Sequence, residues 1–315
     1  MRITNRIDPD YLALVEQAIA ETPENLHEMD PETLRNFRNA QRTIPPPPDD
    51  VAIENTTIDS KFGGIPVRIY RHRSQTGSDT PLILYFHGGG FVIGNLDTHQ
   101  SSCIRLCVDT TWPVISVDYR RAPENPFPAA PEDCYAVFCW AAQNAETLGI
   151  DRDRIALVGE SAGGNLATVA ALMARDRNGP QAAFQLLFYP VTDCNYTTPS
   201  YQNFADGPLL PARVMQAYWR HYLAGDETTD EIYAAPLLAE SLVDLPPAAI
   251  VTAEFDVLRS EAEAYTTRLK SQGVTVSEYR AEGLIHGFMK HVGVHPEAER
   301  VYSAARNDMI EVLNA

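Results

Sequence analysis

The chain has 315 residues, 44% hydrophobic and 21% charged, which are the proportions of an ordinary globular protein with one main domain and an accessory segment. Its formal net charge is −17, which repels nucleic acid and anionic membrane and removes both as expected partners. No apolar run reaches the ~18 residues needed to cross a bilayer, and Met1–Arg6 lacks the apolar stretch of a leader, so a cytoplasmic location is expected.

Two helices open the chain by their spacing: Asp10 to Ala20, with Leu12, Val15 and Ile19 on one face, and Pro31 to Arg42, with Leu34 and Phe37. Pro45 to Pro48 then form a stiff, extended linker. Strands are predicted over 53–59, 65–70 and 81–86, the last a buried run that ends in His87-Gly88-Gly89-Gly90-Phe91. Three consecutive glycines cost backbone entropy, so they are tolerated where the backbone must approach something closely. A helix over 97–110, a strand over 114–118 and a helix over 131–147 follow. Cys103 and Cys107 lie four apart on the first of these helices. No neighbouring histidine or thiol completes a metal set, so buried thiols and no metal are expected.

The next strand, over 155–159, runs straight into Gly159-Glu160-Ser161-Ala162-Gly163-Gly164 and then an Ala-rich helix over 161–176. That is a G-x-S-x-G nucleophile elbow between a buried strand and a helix. The turn is tight, and glycine at 159 and 163 relieves crowding on either side of Ser161. Given the elbow, the upstream glycines acquire a purpose. The amides of Gly89 and Gly90, with that of Ala162, are expected to meet a carbonyl oxygen as it becomes an oxyanion, and Gly88 is counted with them as the residue that shapes the turn.

After a strand over 184–189 the chain runs much longer than a normal crossover before the strand over 248–253. This insert holds Tyr196, Tyr201, Phe204, Tyr218, Trp219 and Tyr222, and is read as a lid. The boundaries that result are a cap made of 1–48 and 191–245, and a catalytic domain made of 49–190 and 246–315. Glu254 and Asp256 both stand at the carboxyl end of strand 248–253, where catalytic groups gather in open α/β sheets. Asp256 is preferred as the shorter of the two. In the order serine, acid, histidine, the base must lie beyond Ser161, which leaves His221, His286, His291 and His295. His286 sits in a loop after the strand-like 274–279 and is the choice. Helices over 260–272 and 297–313 complete an α/β alternation, which implies a mostly parallel sheet of about eight strands with helices on both faces.

On these residues the chain resembles the bacterial hormone-sensitive-lipase-like esterases, a branch of the α/β-hydrolases. The likeness rests on His87 to Gly90, Asp118 to Glu124, Phe127 to Ala130, Gly159 to Asn165, Asp256 with Leu258-Arg259, and His286 to Phe288. It implies a triad of Ser161, Asp256 and His286, amides at Gly89, Gly90 and Ala162, and a helical cap. No cofactor is required. It implies a serine carboxylesterase acting on small-molecule esters of short to medium chain. The alternatives are a receptor on the same scaffold, which would lack the triad histidine, or cleavage of an amide, lactone or thioester. Some positions depart from the common pattern: Glu160 stands where Asp is usual, Arg121 replaces a leucine, and Val257 and Ser260 stand where Pro and Asp are frequent. The last strand carries little edge protection, so a homodimer through it is expected over a monomer shielded by the final helix.

Overall fold

In the computed structural model of the chain, residues 7–23, 25–40, 46–75 and 77–315 are described. Met1–Arg6, the last two residues of the second predicted helix, and Pro45 of the linker lie outside the described residues.

All eight predicted strands form: β1 (Val51–Ser60), β2 (Gly63–His72), β3 (Thr80–Phe86), β4 (Val114–Val117), β5 (Ile150–Glu160), β6 (Phe184–Phe188), β7 (Ala248–Phe255) and β8 (Val276–Ile285). They make one sheet in the order β1-β2-β4-β3-β5-β6-β7-β8. β1 and β2 pair antiparallel, as do β2 and β4, and every later pairing is parallel. Parallel strands need helical crossovers, which cover both faces and explain why β4 and β6 are buried at every residue, Ser116 and Gln185 included, and β3 at every residue after Thr80.

The helices are α1 (Pro9–Ala20), α2 (Pro31–Ala40), α3 (Gln100–Thr110), α4 (Ala129–Gln143), α5 (Ala145–Leu148), α6 (Ala162–Asp176), α7 (Pro199–Asn203), α8 (Ala212–Tyr222), α9 (Arg259–Ser271) and α10 (Pro296–Asn314). Every residue of α6 from Ala162 to Ala174 is buried, and its alanines and glycines let the helix lie close against the sheet. The predicted helix over 131–147 is two helices. At the break, both the amide and the side-chain nitrogen of Asn144 donate to Trp140 O and end α4.

β8 begins two residues later than predicted and runs on to Ile285, directly before His286. Its exposed residues include Glu278, Arg280 and Glu282, charges that hid its later half from an apolar pattern. Glu278 pairs with Lys270 at 3.2 Å, and Arg280 reaches Glu263 on α9. The insert between β6 and β7 carries α7 and α8. α8 buries Tyr218, Trp219 and Tyr222, and the Tyr222 ring stacks on Phe91 with centroids 3.8 Å apart. At the amino end, the Asp8 amide donates to Gly283 O at 3.1 Å and the Asp8 carboxylate caps α1, so the first helix docks on the strand that leads to His286.

The consequence for function is positional. β3, β5, β7 and β8 all point their carboxyl ends the same way, and they end at His87–Gly90, Ser161, Asp256 and His286.

Candidate active site

Ser161 sits between β5 and α6 with φ 55° and ψ −119°, a left-handed backbone that costs a side-chain-bearing residue about 1–3 kcal/mol. Its neighbours hold it there: the Ser161 amide donates to Phe188 O at 2.9 Å, and the Val191 amide donates to Ser161 O at 3.2 Å. The flanking glycines are required by contact. A Cβ on Gly159 would lie 2.1 Å from Gly163 O, and one on Gly163 would lie 1.9 Å from Phe86 O at the end of β3.

His286 Nε2 lies 3.0 Å from Ser161 Oγ, and His286 Nδ1 lies 2.6 Å from Asp256 Oδ2. A carboxylate accepts, so the proton on Nδ1 faces Asp256 and the lone pair on Nε2 faces the serine hydroxyl. The other oxygen of Asp256 accepts the Leu258 amide at 3.0 Å, and the residue is only 2% exposed. Glu254, the other acid at this strand end, turns away and accepts the Gly283 amide at 2.8 Å. The remaining histidines beyond Ser161 are occupied or depressed. Burial and the Lys290 charge hold His291 down to about 4, burial and Arg220 lower His221, and His295 is bonded to Asp8 at 3.2 Å.

The glycine turn after β3 divides in two. The Gly88 amide donates to His99 Nε2 at 3.2 Å, and His99 Nδ1 meets Thr98 Oγ1 at 2.9 Å. The Gly88 donor is thus taken by a side chain of the same loop, unlike the amides that follow it. The amides of Gly89, Gly90 and Ala162 donate to no acceptor among the described residues. Gly90 has φ 57°, and a Cβ there would lie 2.2 Å from the Tyr218 ring, so α8 presses directly on this turn.

Glu160 was visible beside Ser161, but its surroundings were not. Its Oε1 accepts from Tyr85 Oη on β3 and from Ser102 Oγ on α3 at 2.9 Å, and its Oε2 accepts from Tyr189 Oη at 2.7 Å. Burial first, and then the Glu160 charge, push both phenols well above their ordinary range, which keeps them as donors. The Tyr189 ring in turn packs against the His286 ring at 4.6 Å. Arg35 of α2 was also missed. It donates to Val92 O at 2.8 Å and Ala122 O at 2.7 Å and forks onto Glu124 at 2.8 and 2.7 Å, fastening α2 to the segment after the glycines. No spacing rule marks such a residue on a polar helix.

Ser161 and His286 open into a cavity of about 610 Å³, whose walls include Gly89, Gly90, Leu209, Met215 and Tyr218. Of the seven phenylalanines, tyrosines and tryptophans of the insert, only Tyr218 is among the described walls. A volume of this order admits a small organic ligand.

A family model described as the α/β-hydrolase fold matches residues 83–290. The chain belongs to this family, in its hormone-sensitive-lipase-like branch. It is 42% identical over 270 residues to the esterase LipI of Mycobacterium tuberculosis, covering 84% of each chain. It is 34% identical over 303 residues to an ethyl acetate hydrolase of Pseudomonas putida, covering 93% of this chain and 95% of that one. Among solved structures, a thermostable esterase from Pseudomonas putida superposes with a TM-score of 0.88 at 33% identity, covering 98% of this chain and 97% of that one.

Proposed function

We propose that the chain is a serine carboxylesterase in which Ser161 is the nucleophile, His286 the general base and Asp256 the group that orients and charge-balances the imidazole. The observation that supports this reading is the unbroken line from Asp256 through His286 to Ser161, at 2.6 and 3.0 Å, beside amides that have no acceptor among the described residues. Ser161 Oγ adds to the ester carbonyl while its proton passes to His286 Nε2. The negative charge on the carbonyl oxygen is met by the amides of Gly89, Gly90 and Ala162. The intermediate then collapses to the acyl-enzyme, and the alcohol leaves with the proton from His286. Water repeats the sequence with the same histidine and frees the acid. Asp256 stays ionised throughout and stabilises the imidazolium.

The cap in this proposal comprises α1, α2 and the segment 191–245, with α8 above the glycine turn. Its position over a cavity of about 610 Å³ supports a preference for short- to medium-chain esters over emulsified long-chain ones. All five cysteines are unpaired, which supports the cytoplasmic assignment. The test is a series of 4-nitrophenyl esters from acetate to palmitate, run on the wild type and on Ser161→Ala. Turnover peaks at short or medium chains and falls by several orders of magnitude in the variant. A Ser161→Ala preparation that keeps most of the activity overturns the mechanism. A maximum at palmitate, with activation by an interface, replaces the esterase reading by a lipase.

A further inference from the structure

The cavity beside Ser161 differs in charge from the molecule around it. The chain carries 42 acidic residues against 25 lysines and arginines. Yet Arg38, Arg105 and Lys290 line this cavity, and Glu160 is the single carboxylate among its described walls. Both oxygens of Glu160 already accept from hydroxyls. Arg105 is taken up by Asp109 at 2.6 Å and Glu299 at 3.0 Å.

Arg38 is different. It projects from α2, half-buried, and its Nε is shut off from solvent with no hydrogen-bond partner among the described residues. The ring of Phe37 stands 5.8 Å from its guanidinium carbon. A guanidinium carries donors only, and a donor such as this Nε–H, closed off from water and without an acceptor, is unfavourable until an acceptor arrives. The natural acceptor is a carboxylate, whose two oxygens match the guanidinium fork. Other walls of the cavity, Leu209, Met215 and Tyr218 among them, suit a hydrocarbon segment.

On the serine carboxylesterase reading above, we infer that this site takes esters carrying a second, ionised carboxylate, which pairs with Arg38 while the ester carbonyl lies at Ser161. The overall charge of −17 does not defeat this pairing. Exposed charges farther away than a Debye length of about 8 Å are largely screened at physiological salt, whereas a half-buried contact is not.

Two matched pairs of substrates test the inference and locate the charge. Monoethyl adipate against ethyl hexanoate places the carboxylate on the acyl side. 6-Acetoxyhexanoate against hexyl acetate places it on the alcohol side. In one pair the wild type favours the anion, and Arg38→Gln lowers the charged-to-uncharged ratio of kcat/KM about tenfold, mainly through KM. Arg38→Lys retains part of the preference, and added salt weakens it. Calorimetric titration of the same two anions into the Ser161→Ala protein, with and without Arg38→Gln, reads the pairing without turnover and shows a similar loss of affinity.

Ratios that Arg38→Gln leaves unmoved in both pairs overturn the inference. So does an equal fall for all four esters, which would make Arg38 a structural residue. If no ester is hydrolysed but anion binding to the Ser161→Ala protein still depends on Arg38, the esterase reading falls and the anion site stands.

Discussion

Replacing Arg35 by methionine keeps the apolar stem of the side chain and removes its fork. The loss divides into two unequal parts. Arg35 is 18% exposed, and its bonds to Val92 O and Ala122 O are charge-assisted, worth about 1.5–3 kcal/mol each. The pairing with Glu124 is weaker than its geometry suggests, because Glu124 is 55% exposed and solvent screens the pair to about 1 kcal/mol or less. Arg35→Met therefore costs about 3 kcal/mol or more, a fall in Tm of roughly 6–10 °C for a chain of this size. Glu124→Gln touches only the screened part and costs about 2–3 °C.

Acid should separate the two parts again. The Arg35 hydrogen bond is the chief cause that holds the Glu124 carboxyl down to about 2, below its ordinary 4.5. Its folded-state value is thus depressed, so this contribution is complete above the ordinary value and disappears as pH falls toward 2. The carbonyl contribution has no titrating partner in that window and persists. Thermal denaturation of the three proteins at neutral pH, and again at successive lower pH values, is the assay. Equal losses in Arg35→Met and Glu124→Gln would refute the reasoning, since the carbonyls would then contribute nothing.

Asp256→Asn should lower turnover by about four orders of magnitude, because a neutral amide neither fixes the imidazole proton nor balances its charge. Glu254→Gln should stay within about tenfold, since an amide oxygen can still accept the Gly283 bond; if it is the inactive variant, the acid is misassigned. Gly90→Ala should cut kcat about a hundredfold or more if its amide has the proposed oxyanion role, as the new methyl meets Tyr218 and shifts that amide; retention of half the activity speaks against the role. A two-fold dimer through β8, which among the described residues pairs with β7 alone, should scatter light as twice the 34.9 kDa chain, and Val276→Pro should dissociate it. A monomer mass removes the dimer.

The parts of this molecule that were legible in its sequence are those that depend on local rules. Buried parallel strands announce themselves as apolar runs, and the elbow announces itself through Gly159 and Gly163, which contact forbids from carrying a Cβ. His286 and Asp256 each directly follow a strand end, and that position could be read because a strand end fixes where a loop starts. What stayed hidden depends on partners distant in sequence. Glu160 is adjacent to Ser161, yet its three donors come from β3, α3 and the segment after β6. Gly88 was set apart as the residue that shapes the turn, yet nothing in the spacing showed that His99 takes its amide. The later half of β8 was concealed by charges that an edge strand can hold in solvent and an interior one cannot. Arg35 and Arg38 share one short helix, and nothing in their spacing separates the one that fastens α2 from the one that faces the cavity.

The three hydroxyls gathered on Glu160 also bear on how this sequence can change. Aspartate at that position is one methylene shorter and cannot reach donors on three separate elements at once. A descendant that acquires Glu160→Asp would leave Tyr85, Ser102 or Tyr189 with a buried hydroxyl to satisfy in some other way. The neutral routes are then to lose that hydroxyl first, as in Tyr85→Phe or Ser102→Ala, and to shorten the acid afterwards. Positions 85, 102, 160 and 189 are bound into one unit of inheritance by this arrangement. A library that randomises them singly should recover few active clones, whereas one that varies them together should recover solutions of both lengths.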